Sequence, residues 1–234
     1  MQLLLIAFFS AIKDNGDMDK KVVIIADVIE SRESSEFMQF QKSALAKLNE
    51  KHIEANWIID RYKVTAGDEF QVLLSDITCL PKVVWDIFLF FEPYKLRVGI
   101  GYGDIAFSGE KLVEINENAT GEAFYKARDA LGSIVERRRE GSRASICLRW
   151  HDQSTEIVLN ALFRLLYVLI TDITTKQWDV IKAYESANVT QDVLAKQMGK
   201  EPSTISRSLI SSRYWEIVTT LKDIETFLRT QGSD

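Results

Sequence analysis

Thr65-Ala66-Gly67-Asp68-Glu69-Phe70-Gln71 sets two carboxylates beside a glycine at the tip of a predicted β-hairpin. Glycine takes positive φ without steric cost and Asp bonds its own nearby backbone, so this is turn chemistry between two strands, Trp57–Thr65 and Phe70–Leu74. Well upstream, the apolar run Val22–Ala26 ends in a lone acid, Asp27. Val22–Ile29 is rich in β-branched residues, as suits a central strand covered on both faces. An ionised Asp at the end of such a strand is costly unless it is paired or coordinated. Asp27 therefore needs a partner: a metal ion shared with Asp68 and Glu69, a turn with Ser31, or an ion pair with Arg32.

Outward from this hairpin, Ser34 or Ser35 can cap a helix whose apolar positions Phe37, Phe40, Ala44, Leu45 and Leu48 recur at helical spacing. Pro81 fits the first turn of a second helix, Val83–Phe91, which Pro93 would stop. Leu96–Ile105 alternates, with Val98, Ile100 and Tyr102 on one face and Gly99, Gly101 and Gly103 on the other. A glycine face admits close approach, either by a packed helix or by a nucleotide. Glu122–Arg137 reads as a third helix and Ala144–Leu148 as a closing strand. The order β-α-β-β-α-β followed by α-β predicts an α+β fold with a ferredoxin-like core and an addition. In that topology the first strand is central and its C-terminal end lies beside the hairpin turn, which makes Asp27 and Asp68 neighbours.

From Gln153 onward the sequence is helical: Ile157–Ile170, Trp178–Ala187, Val189–Met198, Pro202–Ile210 and Trp215–Leu228. This divides the chain into an extension of residues 1–17, a sheet domain of residues 18–150 and a helical domain of residues 151–234. Ile157–Ile170 is nearly all apolar, suited to burial against the core or a partner subunit. Thr190 to Gly199 followed by Pro202 to Leu209 resembles the T-Q-x-x-L-A-x-x-[LM]-G…S-T-[IV]-S-R-x-L pattern of bacterial helix-turn-helix regulators. Leu194, Met198, Ile205 and Leu209 would share a small core, and Ser203, Thr204, Ser206 and Arg207 would face outward, as major-groove recognition requires. Residues 174–234 carry eight Lys or Arg and eight acids. With no excess positive charge for phosphate contacts, DNA binding and a role in dimerisation or partner docking both stay open.

Composition narrows the chemistry. The 234 residues are 46% hydrophobic and 27% charged with a net charge of −5, which argues against a nucleic-acid coat or a membrane-surface protein. Two histidines, His52 and His151, are too few for a zinc hydrolase or a His-dependent triad. Cys79 and Cys147 form no CxxC, as expected in a reducing cytoplasm. Met1–Ile12 is apolar but far short of the roughly 20 residues that span a bilayer.

Residues 66–70 resemble the GGDEF signature of diguanylate cyclases with Ala66 in place of the first glycine. Arg97-Val98-Gly99-Ile100-Gly101-Tyr102-Gly103-Asp104, followed by Gly121-Glu122-Ala123, is similar to paired segments of class III nucleotide cyclases. The chain as a whole most resembles the SatD family, through Ile25–Arg32, the G-D-x-F-Q hairpin and Ala127–Ala130. The cyclase likeness implies Mg²⁺ or Mn²⁺ on Asp27 and Asp68, Glu69 beside them in catalysis, and phosphate contacts from Ser31, Arg32, Gly67 and Arg128. Two departures count against turnover. Tyr125 and Asp129 stand where cyclases carry a ribose-holding Asn and a transition-state Arg, Arg128 being one place early; Lys63 is out of register with the base-reading lysine. The expected function is a cytoplasmic regulator that couples Mg-nucleotide binding to DNA binding, with room for a homodimer. The alternative is an active metal-dependent nucleotidyl cyclase or transferase whose tail dimerises or docks.

Overall fold

Strand β1 (Lys21–Val28) organises the molecule because its two faces are both apolar and its two edges are both paired. The structure, a computed structural model, describes residues 20–29, 34–107, 119–139 and 145–231. The extension of residues 1–17 and the phosphate candidates Ser31 and Arg32 lie outside these residues. After β1 come α1 (Ser35–Glu54), β2 (Lys63–Ala66), β3 (Glu69–Leu73), a short 3-10 turn (Ile77–Cys79), α2 (Leu80–Phe91), β4 (Leu96–Gly103), β5 (Ala106–Phe107), β6 (Ala119–Thr120), α3 (Glu122–Arg139) and β7 (Ile146–Arg149). The five-stranded sheet runs β2-β3-β1-β4-β7; β1 is antiparallel to both neighbours and β7 is parallel to β4. The fold is mixed α+β.

Alternation along β1 decides the layers. Val22, Ile24, Ala26 and Val28 enter the larger core with α1 and α2, whereas Val23 and Ile25 pack with Ala123, Ala127, Leu131 and Ile134 of α3. Ser34 caps α1 by accepting the Phe37 N–H at 3.1 Å. Gly99 and Gly101 let α3 lie against the sheet backbone. A Cβ at Gly101 would come 2.1 Å from the Ala123 carbonyl oxygen, and one at Gly99 would come 2.3 Å from that of Ala127. The glycine face is thus filled by a helix.

The first hairpin strand is shorter than its sequence suggests. Trp57–Thr65 reads as one strand, but only Lys63–Ala66 is ladder, and Ile58 touches Leu74 through an isolated bridge. The cause is tertiary: Tyr62 donates its N–H to Asn49 Oδ1 at 2.7 Å and accepts from Asn49 Nδ2 at 3.4 Å, so an amide on α1 replaces the neighbouring strand. The edge of β7 is closed in the same way. Asn160 accepts from Leu148 N and donates to Leu148 O, both at 2.9 Å.

The tail consists of α4 (Gln153–Thr171), α5 (Thr175–Ala187), α6 (Gln191–Gln197), α7 (Pro202–Ser211) and α8 (Tyr214–Gln231). Between α6 and α7, Gly199 takes φ +61°, a conformation glycine adopts without strain. One apolar cluster runs from Val22 to Leu228, across the boundary drawn between residues 150 and 151. Among the described residues α4 alone is long and apolar enough to cross a membrane by length and composition. Its buried side chains, Leu159, Phe163, Leu166, Tyr167 and Ile170 among them, join the core, while Ile157, Val158, Leu165 and Val168 face outward.

Candidate functional site

The antiparallel register of β1 and β4 places Asp27 opposite Arg97 on the sheet face that α3 covers. Opposite charges at facing positions pair across a ladder, and a guanidinium fork fits a carboxylate with two bonds. Arg97 Nε donates to Asp27 Oδ1 at 2.8 Å and Nη2 to Oδ2 at 2.6 Å. Burial pushes the Asp27 carboxyl above its ordinary pKa; Arg97 opposes that rise, and the nearby charges of Asp68 and Glu69 add to it. Three acids from two parts of the sequence therefore share one rim.

The hairpin supplies the other half. Gly67 turns the chain at φ +57°, and the ladder shifts register between Val64 and Ala66. Gln41 on α1 donates to the Asp68 carbonyl at 3.1 Å and holds the tip against the first helix. Asp68 and Glu69 are half-buried. Glu69 accepts from Thr65 Oγ1 at 2.5 Å through Oε1, and its Oε2 pairs with Arg128 of α3. Arg128 is one place early by sequence count, yet its side chain reaches the hairpin acid. Of the residues the sequence selected, Asp27, Asp68, Glu69, Gly67 and Arg128 lie around this rim.

The donor chemistry of the rim suits a hard cation, but the arrangement does not fit a bare one. Guanidinium groups hold Asp27 and Glu69, and among the described residues no group of three or more His, Cys, Asp or Glu could hold a metal ion. Beside the rim, a groove of about 680 Å³ runs between α1 and β2, lined by Gln41, Lys42, Asn49, Arg61, Val64 and Gly67 among others. Gly67 belongs both to the hairpin tip and to this groove.

Beneath the groove begins a chain of polar contacts that ends in the tail. Tyr62 Oη meets His52 Nδ1 at 2.9 Å, and His52 Nε2 meets Asp86 Oδ2 at 3.1 Å. Lys51 and Lys82 bond the same carboxylate at 2.9 Å and 3.1 Å. Lys82 continues to Glu185 of α5 at 3.0 Å, and Glu185 also accepts from Tyr214 of α8 at 3.0 Å and Trp85 at 3.3 Å. Burial pushes Asp86 up, but His52, Lys82 and Lys51 together hold its carboxyl below the ordinary range.

Arg97 and this buried chain were missed by sequence reasoning. Both left a signal: Arg97 faces Asp27 once the two strands are paired, and His52 continues the Leu45–Leu48 stripe of α1. On α7, Ser203, Thr204 and Arg207 are exposed, Ser206 is half-buried, and Ile205 and Leu209 are buried. Arg207 donates to the Ser203 carbonyl at 3.1 Å and to its hydroxyl at 3.3 Å.

Comparison with known proteins adds a family and a distant neighbour. The family model of the SatD family matches residues 21–228. No curated protein matches the sequence. Among solved structures, the crystal structure of a regulator of polyketide synthase expression from Bifidobacterium adolescentis is 14% identical, covering 95% of this chain and 90% of that one, with a TM-score of 0.29.

Proposed function

The chain belongs to the SatD family, and from that premise we propose a cytoplasmic regulator in which a cyclase-like, ferredoxin-type sheet domain binds a magnesium or manganese nucleotide and a C-terminal helix-turn-helix acts on DNA. The single observation that carries this reading is the rim itself: Asp27, Asp68 and Glu69 stand with Arg97 and Arg128 near a hairpin tip whose Gly67 also lines a groove. Carboxylates take up the cation of a metal–polyphosphate complex, and guanidinium forks take up its oxygens. The adjoining groove, polar along α1 and apolar at Leu45 and Val64, suits a nucleoside. The strand order β7-β4-β1-β3-β2 supports a ferredoxin-like core with one strand added at its edge.

Binding without turnover is favoured by two side chains of α3. Tyr125 is 73% exposed, pointing to solvent where cyclases hold the ribose, and Asp129 is bonded to Arg149 at 2.5 Å. The helix-turn-helix reading is supported by the glycine turn between α6 and α7 and by the outward side chains of Ser203, Thr204 and Arg207. The Lys82–Glu185–Tyr214 contacts give the two parts a shared joint.

The test is titration calorimetry of Mg-ATP and Mg-GTP against the full chain and its Asp27→Asn and Asp68→Asn variants, paired with mobility shifts of genomic DNA fragments. Binding lost in both variants, and a nucleotide-dependent shift lost in Arg207→Ala, are the expected results. Unchanged nucleotide binding in the two Asn variants would remove the site. One observation favours an enzyme: the reach of Arg128 to Glu69 puts a guanidinium beside the acids where phosphoryl charge would develop. A cyclic or linear nucleotide product after incubation with ATP or GTP and Mn²⁺ decides for that alternative.

A further inference from the structure

Helix α4 carries an apolar stripe that faces away from the core. Of the eleven large apolar side chains exposed among the described residues, four belong to this helix: Ile157, Val158, Leu165 and Val168. At 3.6 residues per turn, these four and the exposed Ala161 fall within about 100° of one another, opposite the buried side of the helix. A helix that is apolar on both sides has a second surface to cover. The stripe is held outward by the sheet edge. Asn160 bonds both backbone atoms of Leu148, and Glu156 accepts from the Trp150 N–H at 2.9 Å and from Arg149 at 3.3 Å.

The described chain begins beside this helix. Lys21 pairs with Gly103 and Gly101 with Arg149, so the start of β1 lies level with His151, two strand spacings or about 10 Å away. The charge of Lys20 is felt at His151, and α4 begins two residues later at Gln153. Upstream of Lys20, Met1–Ile12 has ten apolar residues out of twelve, so the segment gains by leaving water. We infer that Met1–Ile12 docks on the outer stripe of α4 in the same chain, a clasp between the sheet domain and the first helix of the tail. The lengths agree. The stripe from Ile157 to Val168 runs about 17 Å along the helix axis, which twelve residues can cover in helical or extended form. Residues 13–19 extend to about 25 Å, enough to bring Ile12 to the stripe. A tether this short presents the segment at an effective concentration of about millimolar, which favours the chain's own segment over a second copy. The clasp lies at the end of β1 opposite to Asp27, so it stands or falls apart from the nucleotide reading.

The experiment is hydrogen exchange by mass spectrometry on the full chain, with sedimentation velocity on the same samples. Amides of residues 2–12 are expected to exchange at least about tenfold more slowly than an unstructured chain, at a rate independent of protein concentration. Leu165→Asp and Ile157→Asp, at side chains 66% and 61% exposed, put a charge in the stripe without touching the core. Each should return those amides to the unstructured rate while the protection of β1 and β4 stays unchanged, and the second variant serves if the first fails to fold. Unprotected amides in the wild type overturn the clasp. Protection that survives in both variants also overturns it, because the segment then rests elsewhere. Protection that fades on dilution together with a dimer gives the stripe to a second copy, and protection seen only with phosphatidylcholine vesicles gives the segment to a membrane. Either result overturns the clasp.

Discussion

Two ion-pair assemblies in this protein use the same chemistry in opposite settings. At the joint between sheet and tail, Asp86 and His52 are wholly buried and Asp86 is surrounded by Lys51, Lys82 and His52. At the rim, Asp27 and Glu69 are each held by an arginine that also meets solvent. A buried charge that loses its partners has nowhere to go, so the joint can only be whole or broken. A rim charge that loses its partner can take water or a ligand instead, so the rim can exchange. Burial of the acid, more than access to its partner, separates the two assemblies: Lys51 and Lys82 are 34% and 32% exposed against 25% for Arg97, whereas Asp86 is 0% exposed and Asp27 16%.

The largest expected effect breaks the joint. Asp86→Ala leaves two lysines and a histidine around an empty place and should cost about 3–5 kcal/mol in urea unfolding. Asp27→Ala should cost about 1 kcal/mol, because Arg97 regains water. Equal costs would erase the distinction between the two assemblies.

Acid titration separates them by sign. Asp86 has its folded pKa below the unfolded value of 3.8, so its stabilisation is present above that value and is lost as pH falls through the lower folded pKa. Asp27 has its folded pKa above 3.8, so the folded state binds the proton more tightly. Stability from Asp27 is therefore greatest below 3.8 and declines as pH rises through the folded pKa. Asp27→Asn should remove that decline, and Asp86→Asn should flatten the loss at lower pH; both are read from denaturation midpoints measured across the acid range.

Smaller effects sharpen the contrast. Tyr214→Phe removes one hydrogen bond to Glu185 and should lower stability by about 1 kcal/mol with an unchanged denaturant slope. Arg207→Ala, exposed on α7, should change stability by less than about 0.5 kcal/mol, as read from thermal unfolding, even where it abolishes a DNA shift.

Local signals in the sequence carried much of this architecture. The Gly67-Asp68 turn, the Ser34 cap and Pro81 each act on their own few residues, and each stands where the chain suggested. Tertiary pairings were harder to read. Trp57–Thr65 has the composition of a strand, but Asn49, on another element, takes over the backbone of Tyr62 and ends the ladder there. A partner for Asp27 was sought next to it in the chain, at Ser31 or Arg32, whereas the bond it makes comes from Arg97 across the sheet. The register needed to see that follows only after β1 and β4 are paired. Asp86 gave less warning still, as an acid within an apolar helix whose partners come from α1 and from its own preceding turn.

The close seat of α3 on Gly99 and Gly101 has a bearing on the aperture of the rim. Arg128 rides on that helix, and Glu69 rides on the sheet, so the thickness of the contact between them sets how far apart the two charges stand. Glycine serves here as a spacer of minimum height. Any side chain at residue 101 must lift the helix away from the strand, and the arginine rises with it, drawing the guanidinium away from the carboxylate it meets.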